Sequence, residues 1–166
     1  MMRRRELLGA VAGGAAGMSL MAGAIDAFGQ PSEGHQEHST IMKACCDTCA
    51  ECAKACNHAF HHCLVQASQG KANHAKMAQM AADCGAFCAL SAEMISRHSS
   101  LMALSCHACA DACRRCADEC AAAASDAEMK ACIESCERCE ESCRNMLKTM
   151  GVDHPADNRR GRALPK

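Results

Sequence analysis

The sequence predicts an all-α, up-down-up-down four-helix bundle with a Cys-lined core. Three observations carry that prediction. Four long segments read as helices separated by short breaks. Within each, Cys, Met and Ala recur in alternating steps of three and four residues, the a/d spacing that faces a bundle interior. No alternating strand pattern competes.

Thr40 to Gln69 contains neither Pro nor Gly, is rich in Ala, carries Lys43 and Lys54, and stops at Gly70, the residue that tolerates a helix-ending conformation. Asn73 is a candidate cap for a second helix running to about His98, broken by Ser99-Ser100. Leu101 to Ala124 form a third. Ser125-Asp126-Ala127-Glu128 has the form of a capping box, with Ser125 as N-cap. It opens a fourth helix ending near Met150, with Gly151 as C-cap. Short links between four such helices favour antiparallel neighbours.

The flanks read differently. Met1 to Gly29 has the form of an export signal, with Arg4-Arg5-Glu6-Leu7-Leu8 as a twin-arginine motif before a weakly apolar, Gly/Ala-rich stretch. The expected location is therefore the periplasm, with no membrane attachment after signal cleavage. Gln30 to Ser39 reads as a flexible polar arm. Residues 151–166, with Arg159-Arg160-Gly161-Arg162, read as a disordered basic tail.

Composition narrows the function. The chain has 166 residues, a net charge of -1, and 18 basic against 19 acidic residues. That balance gives no electrostatic case for nucleic acid. Apolar residues make up 49%, yet Ala supplies 34 and Cys 17, while Leu, Ile, Val and Phe together supply 19. Trp and Tyr are absent. An ordinary aliphatic core is excluded, so Ala, Met and Cys must do the packing. No Ser/His/Asp order, Gly-rich phosphate loop or catalytic metal triad stands out, and we expect no enzyme.

The cysteines follow the seam. The first helix carries Cys45, Cys49, Cys52, Cys56, Ala59 and Cys63. The second holds the register as Met77, Ala81, Cys84, Cys88, Ser91 and Ile95. The third carries Met102, Cys106, Cys109, Cys113, Cys116 and Cys120, and the fourth Met129, Cys132, Cys136, Cys139, Cys143, Met146 and Met150. Cys46 lies beside the row, at its margin.

Other uses of Cys fit this pattern less well. Thiols serving only as small hydrophobes would build a poorer core than Leu. A disulfide-stapled structural or redox bundle suits an exported chain, but neighbours at i+3 and i+4 project the same way from one helix, which does not suit a disulfide. Redox Cys-x-x-Cys motifs expect a strand before them; here they recur inside helices. Zinc wants discrete four-ligand sites, and ferredoxin clusters a loop run ending in Pro. Charge decides further. A zinc with four private thiolates carries a net charge of -2, and buried charge costs several kcal/mol. One Cu(I) per thiolate is neutral, and Cu(I) accepts bridging sulfurs. Multiple Cu(I) ions per chain are the expected cargo.

The steps Cys45-Cys49-Cys52-Cys56, Cys84-Cys88, Cys106 to Cys120 and Cys132 to Cys143 resemble those of the copper storage proteins, a family of Cys-rich four-helix bundles. The resemblance covers about Ile41 to Met150, and the twin-arginine motif is similar to that of its exported branch. It implies a homotetramer of bundles that store many Cu(I) ions for delivery or detoxification, with a copper chaperone or cuproenzyme as recipient. It also implies His and Met residues near a copper entrance. His62, beside Cys63, and Met77 are the choices on that ground. The pattern alone leaves two ends open. One collects His58, His61, His62, His74, Met77, Met80 and Met129. The other collects His35, His38, Met42, Met94, His98, Met102, Met146 and Met150.

Overall fold

The computed structural model describes residues 33–152. These form α1 (Glu33–Ser68), α2 (Asn73–Ser96), α3 (Met102–Cys120), a 3-10 turn (Ala121–Ala123) and α4 (Ala127–Thr149). Among the described residues there is no strand, and no helix is long and apolar enough to cross a membrane. The predicted signal (1–29) and most of the predicted tail lie outside the described residues. The predicted arm is helical from Glu33 onward, so α1 starts earlier than Thr40.

Short links make successive helices antiparallel. α1 packs on α2 and α4, and α3 packs on the same two, closing a square. The backbones of the diagonal pairs, α1 with α3 and α2 with α4, stay apart, and their side chains meet on the axis. α1 and α2 approach closely at Gly85, where a Cβ would stand 3.4 Å from the Cys56 Cβ.

Three helix ends share one device. After α1, Gly70 takes φ 90° while Gly70 N–H bonds to Ala67 O and Lys71 N–H to Gln66 O. After α4, Gly151 takes φ 67° while its N–H bonds to Lys148 O and Val152 N–H to Leu147 O. Both are Schellman endings. α2 ends the same way, but with His98 at φ 51°, its N–H on Ile95 O and Ser99 N–H on Met94 O. His98 therefore stops α2, not the Ser99-Ser100 pair, by entering the left-handed region usually reserved for Gly.

The helix starts also depart from expectation. Asn73 is the first residue of α2 rather than its cap; Ala72 precedes it with no side-chain cap bond. The α4 cap is Asp126, not Ser125. Asp126 is extended at φ -82° and ψ 129°, and its Oδ1 accepts from Glu128 N at 2.9 Å and Met129 N at 3.3 Å. Asp caps as well as Ser, and it sits one residue nearer the helix. α3 tightens into the 3-10 turn from Ala121 instead of continuing to Ala124 as an α-helix.

Asp126→Ala should destabilise the metal-free chain by about 1–2 kcal/mol, the usual range for losing a cap. Ser125→Ala should stay within about 0.5 kcal/mol. Urea unfolding followed by circular dichroism measures both, and equal effects would return the cap to Ser125. The same spectra should already be strongly helical without metal.

Candidate metal centre

The seam residues reach the axis as their spacing requires. Cys45, Cys49, Cys52, Cys56 and Cys63 of α1 are fully buried, as are Cys84 and Cys88 of α2. So are Cys106, Cys109, Cys113, Cys116 and Cys120 of α3, and Cys132, Cys136, Cys139 and Cys143 of α4. Cys46 is not brought to the axis. It is half-buried, and its Sγ donates to Ala92 O at 3.4 Å, across the α1–α2 contact. α2 gives only two thiols; at its next inward position the buried Ser91 hydroxyl has no hydrogen-bond partner.

Eleven of these sulfurs are joined by close contacts into one connected file. Cys45 lies 3.8 Å from Cys143, and Cys143 lies 3.6 Å from Cys49. Cys49 meets Cys139 at 3.7 Å, and Cys139 meets Cys109 at 3.8 Å. Cys109 meets Cys88 at 3.6 Å, and Cys88 meets Cys113 at 3.5 Å. Cys113 meets Cys84 at 3.7 Å, and Cys84 meets Cys136 at 3.9 Å. Cys136 meets Cys56 at 3.8 Å, and Cys56 meets Cys52 at 3.9 Å. Cys52 also meets Cys113 across the square at 3.9 Å. Thiols from diagonal helices are thus in contact where the backbones are not.

Groups of four mutually close thiols overlap along this file. Cys52 and Cys84 belong with Cys56 and Cys136, and equally with Cys88 and Cys113. Cys136 also joins Cys56, Cys116 and Cys132. Each such group has its sulfurs within 4.8 Å of one another. Shared membership is what bridging thiolates need.

One end of the file closes on softer and harder donors together. Cys63 Sγ stands 3.5 Å from Met129 Sδ, and Met77 is buried. His62 is half-buried, with its Nε2 3.0 Å from Asp126 Oδ2 and its ring 6.0 Å from that of His74 in an edge arrangement. Asp126 therefore caps α4 with one oxygen and holds His62 of α1 with the other. Burial pushes its carboxyl up. The Met129 and Glu128 N–H groups and His62 outweigh that and hold it below the ordinary range. His61 is exposed, and His58 is exposed with Nδ1 4.0 Å from Glu128 Oε1. At the other end Met42 and Met146 are buried, Met102 and Met150 half-buried, and His98 exposed.

The sequence placed His74 at this end and Asp126 in the helix cap, but it did not bring either to His62. His74 is buried, with Nδ1 unpartnered; the steps of three and four on α2 extend back from Met77 to reach it, so the signal was present. Asp126 carried no such signal, because its contact with His62 spans two helices.

Burial opposes the thiolate form along the axis, while hydrogen bonds between thiols push individual groups both ways, Cys109 downward and Cys113 upward. Cys63 is pushed up to about 11, first by burial and then by Cys132, Asp126 and Cys116 nearby. Cys113 is held far above the usual thiol range by hydrogen bonding with Cys109, Cys136, Cys139 and Cys52, with burial adding to it.

The copper storage protein model matches residues 38–148, spanning all four helices. The chain belongs to the copper storage protein family. A cytosolic copper storage protein of Streptomyces lividans, solved during copper loading, is 30% identical with a TM-score of 0.64, covering 68% of this chain and 97% of that one. The Cu(I)-bound copper storage protein BsCsp3 is 33% identical with a TM-score of 0.58, covering 64% of this chain and 97% of that one. An uncharacterized cysteine-rich protein of Bacillus subtilis, YhjQ, is 35% identical over 69 residues, which are 42% of this chain and 62% of that relative's length. Family membership and the buried thiol file thus agree on the chemistry expected from the spacing.

The raised Cys63 value sets the sign of a pH effect on the metal-free protein above its ordinary value. A group bound more tightly to its proton in the folded state stabilises fully below its ordinary value, 9.0 here, and that contribution is lost as pH rises through the folded value, about 11 for Cys63. Urea midpoints should therefore fall between about pH 9 and 11, and less steeply in Cys63→Ala. A midpoint rising through that window would reverse the assignment.

Proposed function

We propose that this chain stores Cu(I) on the thiolates of its bundle core. One observation carries the reading: the four-thiol groups overlap, so ions in one group share sulfurs with ions in the next. Each incoming Cu(I) displaces one thiol proton, and the file stays neutral as it fills. Storage asks nothing catalytic of the chain. Sixteen axial cysteines would hold the ions, with His62 and Met77 as weaker, exchangeable ligands at the Cys63 end; Cys46 would contribute only at the margin.

The finer features rest on sequence support. The Arg4-Arg5-Glu6-Leu7-Leu8 segment and the Gly/Ala-rich stretch after it support twin-arginine export to the periplasm. Family likeness supports a homotetramer and a copper chaperone or cuproenzyme as recipient. Storage for delivery and storage for detoxification use the same ligands.

Cu(I) titration against a competing chelator, with metal analysis after gel filtration, tests the cargo. Uptake should be on the order of one Cu(I) per thiolate. Saturation at about four ions or fewer would refute storage. Cys113→Ser should remove about one or two ions, because its neighbours lose a shared sulfur, and should cost roughly 1–3 kcal/mol if its hydroxyl finds no partner. Glu137→Gln, on the exposed face, should change neither.

Export is tested separately by fractionating cells. The wild-type chain should be found in the periplasm, and the Arg4→Lys/Arg5→Lys chain in the cytoplasm. An unchanged distribution would remove the twin-arginine assignment and leave the cargo untouched.

A further inference from the structure

Taken as fours instead of as a continuous file, the axial thiols divide in a second way. Cys49, Cys109, Cys139 and Cys143 form one close group. Cys52, Cys84, Cys88 and Cys113 form the next. Cys56, Cys116, Cys132 and Cys136 form a third. No residue is shared among these three. Two further fours straddle them: Cys88, Cys109, Cys113 and Cys139 take from the first two, and Cys52, Cys56, Cys84 and Cys136 from the last two.

The closest contacts in each group match the edge of a tetrahedral site, and all the sulfurs of a group lie within 4.8 Å of one another. Metal–sulfur bonds of about 2.3 Å place the corners of a tetrahedron about 3.8 Å apart. In the first group, Cys49–Cys143 is 3.6 Å, Cys49–Cys139 3.7 Å and Cys109–Cys139 3.8 Å. In the second, Cys88–Cys113 is 3.5 Å, Cys84–Cys113 3.7 Å, and Cys52–Cys113 and Cys84–Cys88 are both 3.9 Å. In the third, Cys56–Cys136 is 3.8 Å. Every group draws on at least three helices, so the bundle itself fixes the corners.

We propose that the metal-free bundle is also a binding site for divalent tetrahedral cations of the zinc class, with a capacity of three per chain. Each ion takes four thiolates and releases their protons, leaving a net charge of -2 per centre. Three such charges buried on one axis repel one another and are poorly solvated. Occupancy is therefore weaker than that of an isolated four-thiolate site, and Cu(I), which neutralises one thiolate per ion, displaces the divalent ions as it loads. Divalent binding uses only the disjoint groups and their spacing, whereas its displacement by Cu(I) rests on the storage reading.

Co(II) and Zn(II) added to the reduced, metal-free chain are the probes. Co(II) should give the intense visible absorption of tetrahedral thiolate coordination and saturate at three ions per chain. Zn(II) should bleach that signal, and metal analysis after gel filtration should again return three. Cys143→Ser and Cys132→Ser, each touching one of the three groups, should each lower the capacity to two, and Cys113→Ser likewise. Cys46→Ser should keep three. Ala versions and a helical spectrum for each variant guard against loss of fold. Cu(I) should then release all the bound Zn(II). No retained divalent ion, a capacity above three, or a capacity of three that survives both Cys132→Ser and Cys143→Ser would overturn the proposal. Large Cu(I) uptake in the same samples would leave the storage reading standing.

Discussion

A thiol buried beside other thiols is tolerated best while it is neutral, and the rest of the bundle depends on that constraint. Protonated, the axial cysteines pack as small apolar side chains and allow the helices to associate without an aliphatic core. Ionised, they would repel one another in a medium that solvates charge poorly. A monovalent soft cation resolves the conflict, because it removes the proton and the charge together. Core and ligand set are the same atoms, so the features that let the chain fold also prepare it to bind.

This shared role explains what surrounds the file. Ala takes the positions where helices approach, and Gly85 removes a side chain where α2 meets Cys56 and Ala53 of α1. Large Met side chains close the axis at its ends, with Met129 and Met77 at one and Met42 and Met146 at the other. At the Cys63 end, Asp126 joins the start of α4 to His62 of α1, so the local geometry of a helix cap also orients an imidazole. That coupling gives the end near Cys63 a fixed arrangement of polar donors that the opposite end lacks among the described residues.

The seam was legible because its period is strict. Steps of three and four leave no freedom about which face a residue occupies, and every axial Cys named from the spacing is buried. Cys46 was legible only as marginal, since one step off the row does not reveal that it turns toward Ala92. Helix ends were read less well. Ser125 and Asp126 are both good caps, and a one-residue choice between them depends on the extended backbone at Asp126 and on His62 from a distant helix. His98 was not legible as the end of α2, because a His in the left-handed region is set by the chain reversal and not by its own preference. Where thiols meet across the diagonal could not be read at all, since spacing along one helix says nothing of the offset between two.

The sulfur separations have a consequence for whatever meets this protein from outside. Contacts of 3.5–4.0 Å between thiols are already close to the separation of sulfurs bound to a common metal, about 3.8 Å for a tetrahedral centre with 2.3 Å bonds. Filling the axis thus requires side chains to turn by small amounts and asks little of the helices that carry them. Little in that motion need reach the outer faces of the helices, so the ends of the bundle, where ions would exchange, are the natural place for a partner to sense how full it is.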